Sequence, residues 1–208
     1  MRIIDQGLWP RRQLYDFFKP YTQPFYSVTF RIDATNFYRY VKRNDISFYY
    51  GMVYASTEVL NSIEAFRYKI RGENIVLHDA LEPSFTDLTP GSECFHITTL
   101  HQHGSMKEFS DEAFALSRSQ SAFINDNDIP LDAQIYYTCT PWFSFTALTN
   151  ERNADPDDSV PRIAWGKYEQ QDGRLMLPYS LELNHKLVDG YHIGQFYERL
   201  QHYLDILK

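Results

Sequence analysis

The segment Asn184-His185-Lys186-Leu187-Val188-Asp189-Gly190, near the C-terminal end, holds the residues of this chain with the clearest chemical use. An imidazole titrates near neutrality, so neutral His185 can take a proton from a hydroxyl as that oxygen attacks an acyl carbon. The run before it reads as a strand and Asp189-Gly190 opens a helix, which puts the histidine at a strand end. Asp189 has a separate use. At a helix start its carboxylate is favoured by free N–H groups, and it can also pair with a distant arginine. Gly190 permits the tight turn. Taken alone, His-x-x-x-Asp-Gly equally suits a partly buried histidine that satisfies backbone groups, with Asp189 as a plain helix cap.

The elements that must carry these residues follow from patterning. Arg162–Gln170 and Arg174–Asn184 flank Gln171-Asp172-Gly173, a turn that suits a tight hairpin reversal. Tyr191–Leu207 places Ile193, Phe196, Leu200 and Leu204 at helical spacing. Upstream, Phe25–Ile32 reads as a strand, and Asp33-Ala34-Thr35 offers an N-cap for a helix to Arg43. A second helix is expected over Ser47–Ala65, a hairpin over 67–78 turning at Arg71-Gly72-Glu73-Asn74, a strand over Cys94–Leu100 and a helix over Met106–Ala122. Strands are predicted at Gln134–Thr138 and Phe143–Leu148, followed by a polar, mobile loop over Thr149–Asp158. Mixed elements without βαβ alternation imply an α+β fold, a mixed β-sheet covered by helices. No linker or repeat divides the 208 residues, so residues 1–208 read as one domain.

Composition narrows the function classes. Twenty Lys and Arg against 27 Asp and Glu give a net charge of -7 with no basic block, which argues against a nucleic-acid partner. Neither a signal-peptide apolar region nor a membrane-length apolar run is present, so a cytoplasmic protein with no membrane partner is expected. Cys94 and Cys139 read as free thiols. His101 and His103 could face one side of a strand, but no third ligand follows at metal-type spacing, and no metal is expected. His192 and His202 read as solvent-facing or interface residues. Glycine-rich dinucleotide, P-loop and Gly-x-Ser-x-Gly patterns are all missing.

The His185 motif, placed after a hairpin reading Trp165-Gly166-Lys167-Tyr168 and Leu175–Leu183, resembles the chloramphenicol acetyltransferase family. Thr138-Cys139-Thr140-Pro141-Trp142-Phe143-Ser144-Phe145 is similar to that family's Ser-x-x-Pro-Trp-x-x-Phe, and Trp9-Pro10-Arg11-Arg12 matches its N-terminal motif. The resemblance spans essentially the whole chain. It implies that fold, a two-layer sandwich, and transfer of acetyl from acetyl-CoA to a small-molecule hydroxyl, with chloramphenicol the leading candidate. His185 would be the general base, Asp189 would pair with Arg11, and Thr138 would donate to the oxyanion. Tyr49, Trp142, Lys167 and Tyr168 would line the acetyl-CoA tunnel. Phe17, Phe18, Tyr26, Phe95 and Tyr136 fall on acceptor-pocket positions. A homotrimer with active sites at subunit interfaces is implied as well.

The chain also departs from the family pattern. Asn184 stands where a second His is common, Ala164 where a water-ordering Thr is usual, Tyr136 in place of a small polar residue, and Phe18 in place of a Tyr. These changes touch acceptor and intermediate more than acetyl-CoA, leaving a different acceptor, or a non-catalytic binding homologue, as alternatives. The acyltransferase core of 2-oxo-acid dehydrogenase complexes shares the motif, but the sequence shows no lipoyl segment or linker that would favour that reading.

Overall fold

The computed structural model describes residues 1–207. In chain order the elements are β1 (Arg2–Ile3), α1 (Arg12–Phe18), β2 (Phe25–Asp33), α2 (Thr35–Arg43), α3 (Phe48–Asn61), α4 (Glu64–Arg67), β3 (Tyr68–Arg71), β4 (Asn74–Leu77), β5 (Glu82–Leu88) and β6 (Phe95–Thr99). They continue with α5 (Met106–Ser119), β7 (Gln134–Thr140), β8 (Arg162–Gly166), β9 (Glu169–Gln171), β10 (Arg174–Asn184) and α6 (Gly190–Ile206). The main sheet runs β2-β10-β8-β7-β5-β6, with β9 paired to β10, and a small second sheet runs β1-β4-β3. Strand pairs β5–β7 and β7–β8 are parallel and the others antiparallel, so the sheet is mixed and the fold is α+β.

The alternation of side chains along each strand explains the two layers. One face carries Phe85, Tyr137, Ile163, Trp165, Tyr179 and Leu181, all buried. It packs under the helices, with the buried Tyr179 hydroxyl donating to Ser56 Oγ at 2.7 Å and the Tyr137 hydroxyl 2.8 Å from Thr57 Oγ1, both on α3. A buried phenol needs such a partner. The opposite face is lined by small hydroxyl residues that bond to one another across strands: Thr29 to Ser180 at 3.1 Å and Thr86 with Thr138 at 3.1 Å.

Local chemistry sets the ends of the elements. Ser105 and Glu108 form a capping box at the start of α5. Asp172 and Gly173 both take positive φ in the β9–β10 turn, a conformation that glycine adopts at no steric cost. The helix expected over Ser47–Ala65 stops at Asn61. Ser62 Oγ donates back to Val59 O at 2.6 Å and α4 begins separately at Glu64. The segment 143–148 is not a strand. Its backbone folds over Gly166, where an added Cβ would lie 2.8 Å from Phe143 O. Residues 149–158 are not a free loop either, since Arg152 pairs with Glu182 of β10 and, at 2.7 Å, with Asp158.

Candidate active site

His185 is the first residue after β10, and its backbone N–H donates to Pro24 O at 2.8 Å, just before β2. The partner strand thereby fixes where the ring leaves the sheet. The half-buried imidazole lies against two aromatic rings. Phe18 stacks on it with centroids 4.2 Å apart and planes inclined by 25°, and Tyr26 sits at 4.5 Å. Phe17 packs edge-on against Phe18 at 4.9 Å, on the outer side of the cluster. Burial among these rings lowers the His185 pKa, Asp189 opposes the shift and Arg11 reinforces it. The ring is therefore held neutral, the form in which it can accept a proton.

Asp189 has two jobs in the structure. Its Oδ1 accepts from Tyr191 N at 3.1 Å and so caps α6, while its Oδ2 accepts from Arg11 Nη1 at 2.9 Å. The second bond ties the turn carrying His185 to the residue just before α1. Its carboxyl is held below the ordinary range by the Arg11 and His192 interactions, against the opposing effect of burial. His192 is half-buried and does not simply face solvent. Its Nδ1 accepts from Asp189 N at 3.2 Å, which completes a capping box with Asp189. The Asp-x-x-His spacing carries that signal, although Glu or Gln is the usual third-position partner.

A second group of residues lies elsewhere on the sheet. Thr138 is on β7 with its Oγ1 against Thr86, and Tyr136, two residues earlier on the same face, has the Arg162 guanidinium 5.9 Å from its ring centroid. Thr138 is in register with Ala164, and Ala164 with Ser180. It stands two strands across from β10 and five residues short of His185, roughly 19 Å away at about 3.3 Å per residue and 4.8 Å per strand. One copy of the chain therefore does not bring the imidazole and the Thr138 hydroxyl together.

Tyr49, Trp142, Lys167 and Tyr168 gather where β7 and β8 end, beside the start of α3. Lys167 N donates to Phe143 O at 2.9 Å, which puts Lys167 next to the exposed Trp142. Tyr168 lies 6.1 Å from Phe48, and Tyr49 lies 5.5 Å from Trp165 with its hydroxyl donating to Thr86 O at 2.7 Å. Burial raises the Tyr49 phenol well above its ordinary pKa and pushes the neighbouring Cys139 thiol up to about 12. Both stay protonated. Among the described residues, two buried hydroxyls here, Thr140 Oγ1 and Ser144 Oγ, have no hydrogen-bond partner.

Phe95 lies on the edge strand β6, exposed and against Phe123, on the Thr138 side of the molecule. Of the five acceptor-pocket positions, Phe17, Phe18 and Tyr26 thus cluster with His185, while Phe95 and Tyr136 sit with Thr138. His101 and His103 do not share a strand face, because β6 ends at Thr99. His101 lies between Glu82 and Asp128 at 3.2 Å each, and His103 lies 3.3 Å from Glu112.

The family model described as chloramphenicol acetyltransferase matches residues 1–201. Similar proteins include chloramphenicol acetyltransferase of Streptomyces acrimycini, 29% identical and covering 95% of this chain and 91% of the relative. Chloramphenicol acetyltransferase 2 of Haemophilus influenzae is 26% identical, covering 99% and 98%. Among solved structures, a chloramphenicol acetyltransferase superposes with a TM-score of 0.87 at 25% identity, covering 98% of this chain and 99% of that one. A dihydrolipoamide acetyltransferase of Azotobacter vinelandii, at 19% identity and TM-score 0.67 over 88% of this chain and 82% of its own, shares the fold. With the match running from the Trp9-Pro10-Arg11 segment through the His185 turn into α6, this chain belongs to the chloramphenicol acetyltransferase family, a family of acyltransferases that use acetyl-CoA as co-substrate.

Proposed function

We propose that this protein moves acetyl from acetyl-CoA to a hydroxyl of a small molecule, chloramphenicol being the leading acceptor, by general-base catalysis at His185. The observation that carries the reading is a half-buried imidazole at the end of β10, walled by Phe18 and Tyr26, with its turn tied down through the Asp189–Arg11 pair and its pKa lowered by burial. The neutral ring takes the acceptor's hydroxyl proton as that oxygen bonds to the thioester carbonyl carbon. The carbonyl electron pair moves onto its oxygen, where the Thr138 hydroxyl donates a hydrogen bond. When the pair returns, the C–S bond breaks and the imidazolium gives its proton to the departing thiolate, leaving acetyl ester and free coenzyme A. Trp142, Tyr49 and Tyr168 offer aromatic walls to acetyl-CoA, and the exposed Lys167 offers a cation to a phosphate.

The roughly 19 Å between His185 and Thr138 within one chain supports a site completed by a second copy. His185, Phe17, Phe18 and Tyr26 would come from one protomer, and Thr138, Tyr136 and Phe95 from its neighbour, in a closed homotrimer. Exposed Phe17, Phe95, Trp142 and Phe143 are then interface or ligand-facing residues. No helix of the described residues is long and apolar enough to cross a membrane. A cytoplasmic location fits the acetyl-CoA requirement.

Purified protein with acetyl-CoA and chloramphenicol is expected to release free thiol, and His185→Ala is expected to abolish the release. Thiol release unaffected by the substitution would refute the assignment of the base. Tight binding with no turnover across a panel of hydroxyl compounds would mark a binding protein instead.

A further inference from the structure

Both chain neighbours of His185 are buried polar residues, Asn184 at 4% and Lys186 at 1% exposure, and both reach to the same short segment. Asn184 Nδ2 donates to Pro156 O at 3.0 Å and to Asp158 O at 2.9 Å, while its Oδ1 accepts from Lys186 N at 3.0 Å. Lys186 Nζ donates to Asp157 Oδ1 at 2.8 Å. Three consecutive residues, 156 to 158, are thus held by the two residues that bracket the base.

The segment is itself anchored from other directions. Asp158 Oδ2 takes Arg152 Nη1 at 2.7 Å and Arg162 Nη2 at 3.0 Å, and Arg152 Nε pairs with Glu182, two residues before Asn184 on β10. On the far side Lys69 Nζ donates to Ser159 O at 2.9 Å and Ile70 N donates to Ser159 Oγ at 3.2 Å. The connections close a ring, from Glu182 through Arg152 and Asp158 back to Asn184. A buried network in which both amide hydrogens and the amide oxygen are paired resists small displacements, because a shift leaves a polar group unpaired.

On the proposal that His185 is the base, we infer that Asn184 and Lys186 are positioning residues for the transfer step, with residues 156–158 acting as a clamp that holds the imidazole in its reactive place. Neither side chain carries the proton. They act through the backbone of the residue between them, and small displacements of a reacting group cost large factors in rate. The clamp also keeps the ring pressed against Phe18 and Tyr26, with Asp189 and Arg11 the charged groups facing it.

The test uses Asn184→Ala, Lys186→Met, Asp157→Asn and the double variant Lys186→Met/Asp157→Asn, with Lys186→Arg as the conservative control. Steady-state kinetics, thermal stability and the NMR titration of the His185 ring are read on each. The expected result is a kcat lowered about 10- to 100-fold by the first three variants, with KM for acetyl-CoA changed less than about 2-fold. The His185 titration should rise toward the ordinary imidazole value in the same variants. The double variant should lose no more than Lys186→Met alone, and Lys186→Arg should keep most of the activity. Lower stability with kcat and the His185 titration unchanged would overturn the inference. If Asn184→Ala or Lys186→Met fails to fold, Asp157→Asn reads the same contact from its half-exposed side. Should the parent protein prove inactive, the proposed function fails by itself, and the ring titration still decides whether the clamp holds the imidazole.

Discussion

Phe18 lies nearly flat on the His185 imidazole, with centroids 4.2 Å apart, although 167 positions separate the two residues in sequence. The contact joins the end of α1 to the end of β10. A stacked phenyl ring excludes water from one face of the imidazole and lowers its pKa by burial.

Phe18→Ala should therefore let the His185 pKa return upward. With His185 proposed as the general base, the acid limb of the kcat/KM profile is expected to move to higher pH. A pH–rate profile paired with the NMR titration of the ring checks this, and an unmoved limb would show that Phe18 does not set the basicity of the site.

The Arg11–Asp189 pair is mostly shielded, with side-chain exposures of 14% and 28%. Among the described residues, Arg11 Nε and Nη2 have no hydrogen-bond partner. Asp189→Asn should cost about 2–3 kcal/mol at neutral pH, because it leaves a buried guanidinium without its counter-charge. The folded carboxyl titrates below its unfolded value. The pair's contribution is thus fully present above the unfolded carboxyl pKa and is lost as pH falls through the folded one. Urea unfolding at pH 7 and pH 3 should show the gap between parent and variant shrinking at the lower pH.

Lys69 is wholly buried. Its ammonium donates to Phe66 O at 2.8 Å and Ser159 O at 2.9 Å, and burial lowers its pKa to about 7 against the opposing pull of Asp132 and Asp158. Between that value and the ordinary lysine range the unfolded chain binds a proton that the folded chain does not, so rising pH stabilises the fold. The slope from this group approaches about 1.4 kcal/mol per pH unit. The unfolding free energy of the parent minus that of Lys69→Met should grow from pH 7 to pH 9. A flat difference would mean the lysine stays charged in the folded protein.

Much of the architecture was legible because hydrophobic period and turn chemistry agreed. Asp172-Gly173 marked the β9–β10 reversal, and Ile193, Phe196, Leu200 and Leu204 marked the buried stripe of α6. The central strand β5 was missed because Glu82, Pro83 and Asp87 break the apolar alternation by which a strand is recognised. The run Phe143–Leu148 has that alternation and is irregular, since its backbone is committed to covering Gly166. Tertiary approach overrode local pattern there.

Within the candidate site, the motif around His185 and its pairing partner Arg11 could be named from sequence through the family resemblance. The network behind them could not. Asn184 stands out only as a departure and Lys186 carries no signal, because their partners at 156–158 lie in a polar stretch that reads as a mobile loop. Ion pairs among Arg152, Asp158, Arg162 and Glu182 depend on which strands are neighbours, and no spacing in the chain encodes that.

His185 of one protomer is proposed to work with Thr138 of its neighbour, and mixing variant subunits separates that arrangement from a site built within one chain. His185→Ala and Thr138→Ala are each expected to lose about 10²-fold or more of the turnover. When the two variants are unfolded together and reassembled in equal amounts, about a quarter of the sites should combine an intact histidine with an intact threonine. Turnover near that fraction of the parent value is the predicted result. A mixture no more active than the separate variants would rule out the shared site, because it would place both groups in the same chain's site.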